Sequence, residues 1–476
     1  MKKKKIAIML VPAIITAALV GYECWYLSVT DNNSFLGNSA EKKANADDLQ
    51  VVTVWSDNAH EQTIREAQIE EYNNTVGKEE GICIEYKVFG TEYGDAIDAA
   101  FINGEGPDLF RPSSNTFARY VEEGNAVPIS DLEGSDSFLS LYNKDDLAIG
   151  DQIFYDKIYT LPYSLQSYKM IINKDLFDMA GIAEPPATWN EVREDAKVIT
   201  EKSGGEAYGF FLALESGWTL DHYIYSVSSA SLGHFGYDAV SGTYRYSDGL
   251  PIIKNILGMI EDGSVYPGYE NMDADKARAE FSAGKVGIAM AASFDVAVYT
   301  EQFPAKCKWI VCDPPSITSA GYKYKEMVTA TDLLAVSKKA LDAKDTSKIA
   351  RVLEWFYSDD NLVKMYEQGM YIPYRNEVLE KAKESFVPGW KEFATFKDGQ
   401  FIIRMADPKG VIDIEGLSAR DTLAKLLAGE YSEDPEEVLN DLDKRLNKGL
   451  TKLDDVILRE YIAPATYSVE RVAIQR

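Results

Sequence analysis

Strand and helix signals alternate along most of this chain, which predicts an α/β fold in which each lobe is a mainly parallel sheet flanked by helices. Three observations carry that expectation. The order strand, helix, strand, helix, strand runs from Val51 to Phe110, as crossover helices over a parallel sheet require. A similar alternation resumes after Ile158. The 476 residues, 46% of them hydrophobic and 26% charged, make an ordinary globular composition too long for one core, so two or three lobes follow.

Each element has its own local signal. Val51-Val52-Thr53-Val54-Trp55 is a β-branched run typical of a buried strand. A helix follows from about Glu61, with Ile64, Ala67 and Tyr72 near helical spacing. Ile82 to Val88 alternates apolar and polar side chains and predicts a strand. Tyr93 to Phe101 predicts a helix, broken by Asn103-Gly104-Glu105-Gly106-Pro107, after which Asp108-Leu109-Phe110 opens a strand, with Asp108 capping the turn. Tyr168 to Ile172 predicts a strand, Lys174 to Met179 a short helix, and Pro185-Pro186 a stop. Thr188 with Glu191 forms a capping box for a helix that places Val192, Ala196 and Ile199 on one face. Ala213 to Gly233 and Pro251 to Asp262 read as helices, and Ala277 to Phe281 as the end of another. Val286 to Met290, Lys308 to Val311 and Asp332 to Val336 read as strands. From about Thr346 the chain reads as nearly all helix. Its late helix is capped by Asp434, starts at Pro435 and buries Val438, Leu439, Leu442 and Leu446.

The first residues have a separate role. Lys2 to Lys5 precede an apolar run, and lysines before a greasy stretch mark an export signal whose positive end stays inside the cell. Residues 1–31 are therefore a signal or membrane anchor with an apolar segment at 6–22, and the polar residues 32–48 a flexible linker. Three readings of the leader stay open: a lipoprotein signal with Cys24 lipidated, an uncleaved anchor, and cleavage near Ala44-Asn45-Ala46. Gly21-Tyr22-Glu23 is a poor match to the small residues a lipidation site wants, so the anchor is preferred. All three place the remaining chain at the outer face of the cytoplasmic membrane, tethered by its N-terminal segment.

The net charge of −27 repels phosphate backbones and argues against nucleic acid as a partner. The four cysteines, Cys24, Cys83, Cys307 and Cys312, form no CxxC or Cys/His cluster and read as unpaired thiols. The spacing of Cys307 and Cys312 puts them on opposite faces of an extended segment, so they do not pair with each other. His60-Glu61-Gln62-Thr63-Ile64 starts like a zinc-protease helix but lacks the second histidine. Gly284-Lys285 lacks the rest of a phosphate loop, and Asn271, Asp273 and Asp275 lack the glycine and glutamate of a calcium loop. Asp146, Asp151 and Asp156 read as a solvated acidic face. With three histidines and no nucleophile constellation, neither an enzyme nor a cofactor is expected.

Four segments, in order, resemble one family. They are TVWSDNAHEQTIREAQIEEYN from Thr53 to Asn73, DAIDAAFINGEGPDLFRPSSNTFARYVEEGNAVPISDL from Asp95 to Leu132, KIYTLPYSLQSYKMIINKDLFDMAGIAEPPATWNEV from Lys157 to Val192, and DADKARAEFSAGKVGIAMAASFD from Asp273 to Asp295. The stretch GEYSEDPEEVLNDLDKRLNKGL, Gly429 to Leu450, looks like the family's C-terminal helix. Together they resemble the family 1 extracellular solute-binding proteins, the maltose-binding-protein-like sugar receptors of ABC importers. The resemblance implies a type II periplasmic-binding-protein-like fold of two lobes closing on a ligand, with a helical C-terminal part. By analogy, lobe I is 49–162 and 285–331, and lobe II is 163–284 and 332–476. It further implies a monomer that captures a small solute, a mono- or oligosaccharide, and delivers it to ABC permease subunits. The alternatives are an extracellular carbohydrate-active enzyme and a ligand sensor for a membrane receptor. The chain departs from the family at Ala291-Ala292-Ser293-Phe294, where relatives often carry Gly-Ser/Pro-Trp; Phe294 keeps an aromatic face but lacks the indole N–H.

Ligands of parallel α/β sheets bind beyond the carboxyl ends of strands. Sugars offer flat C–H faces to aromatic rings and hydroxyls to paired donors and acceptors. The candidates are therefore Trp55, Ser56 and Asp57 after the first strand, Arg111, Ser113 and Asn115 after Phe110, and Tyr163 and Ser164 in the crossover. To these are added Trp218 and His222, Ser293 and Phe294, and Tyr374 beside Ile372-Pro373, with Tyr371 in the same loop. The alternatives are core packing for Trp55, Trp218 and the two tyrosines, a surface ion pair for Arg111 and a structural histidine for His222.

Overall fold

The computed structural model describes residues 49–463 apart from 91, 114–115, 145–146, 149, 397–398, 455–457 and 460. The leader, the linker, Cys24 and Asn115 lie outside them. Most of the expected elements form. The first strand spans Gln50–Ser56, its helix Gln62–Asn74, the second strand Ile82–Val88 and the next helix Tyr93–Asn103. Thr188 and Glu191 form the capping box of helix Trp189–Ser203. Asp434 caps helix Pro435–Leu450, which buries Val438, Leu439, Leu442 and Leu446. Asp108 is structural, but it ties its segment to the first strand instead of capping a turn: its carboxylate accepts from the Thr53 backbone N–H and hydroxyl, both at 2.7 Å.

Two sheets carry the molecule. The larger has the order Ile372–Pro373, Thr160–Gln166, Glu326–Ser337, Leu109–Phe110, Gln50–Ser56, Ile82–Val88. The smaller has the order Trp309–Cys312, Tyr168–Asn173, Val286–Ala292, Tyr208–Phe210. Both are mixed, which corrects the expectation of mainly parallel sheets. Parallel pairing holds among Gln50–Ser56, Ile82–Val88 and Leu109–Phe110, where crossover helices return the chain, between Val286–Ala292 and Tyr208–Phe210, and between Glu326–Ser337 and Phe401–Ile403. The strands that carry the chain between lobes pair antiparallel, because one leaves on Thr160–Gln166 and the other returns on Glu326–Ser337.

The division of the lobes also differs from the expected one. Val286–Ala292 pairs with Tyr168–Asn173 (Ile288 opposite Ile172) and so belongs to the second lobe. Conversely Leu333, Leu334 and the helix Thr346–Phe356 pack with Val52, Val54 and Leu109 in the first. A fully buried apolar strand fits the middle of either sheet equally well, so its composition does not assign it. The C-terminal helices Ala419–Leu427 and Pro435–Leu450 do pack on the second lobe's core, with Ile252, Ile253 and Ile256. Strands Ile372–Pro373 and Phe401–Ile403 interrupt the stretch that reads as helix after Thr346. Where helix Trp189–Ser203 crosses the second sheet, a Cβ on Gly209 would fall 2.1 Å from the Ala196 backbone, so only glycine permits that contact.

Three chain passages meet between the lobes. Leu165 and Val328, from the two crossover strands, share a core with Ile171, Ile372, Trp390 and Phe393. Tyr168 Oη and Thr329 Oγ1 are 2.8 Å apart. Lys169, next along its strand and therefore on the opposite face, donates to Glu326 at 2.8 Å; the two side chains are 2% and 5% exposed. Phe396 from the third passage lies 5.6 Å from the same ammonium. Cys307 and Cys312 are free thiols, as expected.

Removing one member of a buried ion pair strands the other charge. Lys169→Met should therefore lower the unfolding free energy by about 3–5 kcal/mol, and the double change Lys169→Met/Glu326→Leu should recover most of it. Denaturant unfolding of the three proteins checks both.

Candidate functional site

On the first lobe the strand Gln50–Ser56 delivers its end to a tight polar turn. Ser56 Oγ accepts from the Asn58 N–H at 3.1 Å, Asn58 Oδ1 caps the turn at His60 N, and Asn58 Nδ2 donates to Tyr371 Oη at 2.7 Å. Below it Glu61 and Arg65, one helical turn apart and each 1% exposed, pair at 3.0 Å. Arg111 hydrogen-bonds through its backbone N–H to Trp55 O at 2.9 Å, and its guanidinium donates to Asp57 at 3.0 Å. Trp55 is half-buried, its ring 4.7 Å from Phe89 and its face 5.6 Å from the Lys87 ammonium.

The second lobe presents an aromatic platform. Helix Trp218–Leu220 runs into a π-helical turn at Asp221–Ser226, a geometry frequent at functional sites. Trp218 and His222 stand 5.6 Å apart, with Phe294 6.3 Å from each and Tyr168 5.6 Å from His222. Arg278 lies over Trp218 at 5.1 Å and over Phe294 at 5.8 Å. That guanidinium is 5% exposed and pairs at 2.7 Å with Asp295, which is fully buried and also accepts from Tyr223 Oη and the Ala292 N–H. The charge is thus neutralised behind the rings while their faces stay half-exposed.

Charges of the second lobe act on a group of the first. Burial holds the His60 imidazole below its ordinary value, and Arg278 of the second lobe pushes the same way, against Asp295 and Asp275. His222 is likewise lowered by burial, so both imidazoles favour the neutral form. A second meeting point involves Asp151, Gln152 and Asp332. Gln152 Nε2 donates to both Asp332 oxygens, at 2.9 and 3.1 Å. Burial, then the neighbouring Asp151, raises the Asp332 carboxyl well above the carboxylate range. Asp151 is raised by burial against the pull of Arg404, whose guanidinium packs on Phe235 of the second lobe at 4.9 Å. Asp151 is therefore half-buried, not part of a solvated face.

The expected residues thus fall into three sets. Trp218, His222 and Phe294 gather on one wall, and Trp55, Asp57 and Arg111 on the other. Tyr163 sits beneath the first wall, 1% exposed and edge-on to Tyr371 at 4.8 Å. Ser56, Ser164 and Ser293 are buried, which corrects their placement on the cleft surface: Ser56 builds the turn and Ser293 Oγ accepts from the Ser167 N–H at 3.3 Å. The Ser113 carbonyl starts the next helix by accepting from Phe117 N. Tyr374 stacks on Tyr142 at 6.1 Å, in the packing role that was its alternative. Sequence reasoning missed Arg278, Asp295, Asp332 and Arg404. The first two lie inside the Asp273–Asp295 segment, whose charged side chains amid an apolar pattern were the available signal. Among the described residues no group of three or more acidic, histidine or cysteine side chains could hold a metal, and no helix is long and apolar enough to cross a membrane.

The family described as bacterial extracellular solute-binding protein matches residues 58–395. The chain belongs to that family. A Brucella abortus binding protein is 27% identical over 310 residues, covering 61% of this chain and 72% of the relative. A maltotriose-binding protein of Pyrococcus abyssi is 26% identical over 144 residues, 30% of this chain and 28% of that one. Solved structures share the fold. The GacH receptor of Streptomyces glaucescens, known unliganded and with acarbose, superposes with a TM-score of 0.64 at 20% identity, covering 85% of this chain and 99% of that one. An ABC transporter solute-binding protein of Thermotoga lettingae bound to α-D-tagatose gives 0.64 at 20% identity, covering 86% and 100%. The two-lobed type II fold and the solute-binding role outside the cytoplasm both follow from these matches.

Two pH effects follow. Asp221, 8% exposed, is pushed up by burial, but Lys409 and Arg420 outweigh that and hold its carboxyl at about 2. Its stabilisation is present above the ordinary value near 4 and is lost as pH falls toward 2. Asp221→Asn should therefore cost about 2 kcal/mol at pH 7 and almost nothing at pH 2, read by denaturant unfolding at both. Asp332 is shifted the other way, so the folded protein loses stability as pH rises above about 4. Asp332→Asn should raise Tm by about 1–2 °C at pH 8 and leave it unchanged at pH 4 in thermal scans.

Proposed function

We propose that this protein captures a neutral mono- or oligosaccharide in the interlobe cleft and passes it to ABC permease subunits, held at the outer face of the cytoplasmic membrane by its N-terminal segment. What supports the reading is the half-buried cluster of Trp218, His222 and Phe294 on the second lobe, together with the Asp57–Arg111 pair beyond the first strand of the other lobe. Such rings match the C–H face of a pyranose, and that carboxylate and guanidinium match its hydroxyls. The electrostatics favour a neutral ligand. Arg111 is paired with Asp57, Arg278 with Asp295 and Arg404 with Asp407, so none of these arginines is left to recognise a phosphate or carboxylate. Lobe closure brings His60 and Arg278 together around the ligand, and a ligand that touches both lobes shifts the open–closed equilibrium toward closed.

The test is a thermal-shift screen of mono- and oligosaccharides against amino acids, peptides and sugar phosphates, followed by calorimetry. At least one neutral saccharide should raise Tm and be recovered unaltered, and Trp218→Ala should weaken it by about tenfold or more, with Trp55→Ala weaker in effect. A screen in which only anionic or peptide ligands shift the transition, or the appearance of cleaved sugar, would overturn the assignment.

A further inference from the structure

The first lobe holds a cavity of about 650 Å³ that shares none of the residues assigned to the cleft walls. It lies between helix Gln62–Asn74 and helix Thr346–Phe356, within the size range of small-molecule sites. Its floor is aromatic: the Tyr72 and Trp355 rings are 4.7 Å apart, and Trp355 is only half-buried. Val76 and Leu141, 45% and 50% exposed, give it apolar edges.

The polar groups of this cavity are incompletely paired. Tyr72 is 3% exposed, yet its hydroxyl has no hydrogen-bond partner; Arg375 Nε is also buried without one. A buried hydroxyl left unpaired is unfavourable, and a bound ligand would relieve it. Burial, then Glu80, raises the proton affinity of Tyr72, so the group is a donor at neutral pH. The cations are already committed: Arg351 pairs with Glu80 at 2.6 Å, and Arg375 pairs with Asp359. Glu133 and Glu354 add further acidic groups to the lining. An anion is disfavoured, whereas a polyhydroxyl can accept from Tyr72, donate to a glutamate and lay a C–H face on Trp355.

We propose that this cavity is a second saccharide site, separate from the cleft, taking a neutral unit of one to three sugars. The site does not depend on the cleft reading, and the experiment separates the two. Full-length protein with ¹⁵N-labelled tryptophan is titrated with maltotriose, xylotriose, chitotriose and, as a control for an acidic groove, pentalysine. The Trp355 indole signal is assigned by its loss in Trp355→Phe. At least one trisaccharide should move that signal in the parent and equally in Trp218→Ala, where the cleft is impaired. Tyr72→Phe, which keeps the ring, should weaken that response about tenfold. A signal that stays still with all three sugars, moves only with pentalysine, or moves only when Trp218 is intact overturns the second site. An unchanged affinity in Tyr72→Phe overturns the role of its hydroxyl.

Discussion

The molecule depends on how its chain passes between the lobes. Thr160–Gln166 leaves the first lobe and Glu326–Ser337 returns, so the two run antiparallel and pair edge to edge. Their shared core, with Leu165, Val328 and Trp390, joins two bodies that otherwise have cores of their own. The buried Lys169–Glu326 pair reinforces that junction at a place where a missing partner is costly. Two lobes joined by such strands can bend about them while each sheet stays rigid, and a ligand seated between them can be enclosed.

The same economy of charge shapes the cleft. The chain carries a net charge of −27, yet its cleft arginines are paired one by one with carboxylates from their own surroundings. Each pair holds a guanidinium in place without leaving it free to seize an anion. What remains exposed is aromatic surface and hydrogen-bonding edges. Arg278 shows this directly: Asp295 neutralises it, and the ion lies over two half-buried rings, Trp218 and Phe294. The acidic pair Asp151 and Asp332 is the exception, and its raised proton affinity is how the fold accommodates two carboxyls beside one amide.

Much of this was legible before the structure. The capping box at Thr188, the boundaries of Ile82–Val88 and the face of helix Pro435–Leu450 follow from short-range rules, and they formed as read. Trp218, His222 and Phe294 were singled out separately as ring-bearing candidates, and only the fold shows their rings within 6.3 Å of one another. Ser164 and Ser293 misled because exposure is not local: a serine just past a strand can face a cleft or a neighbouring backbone. Arg278 and Asp295 were missed because a charged residue on a helix usually faces water, and only burial turns it into the support of a site.

The sequence by itself determined the class of fold, the family and the residue types from which a cleft could be made, since caps, periodicity and motif order are written within a few residues of one another. The tertiary structure decided which lobe owns Val286–Ala292, which way the crossover strands run, and which charges cancel. Those depend on partners such as Ile288 with Ile172 and Lys169 with Glu326, separated by more than a hundred residues, and no local pattern specifies such pairings.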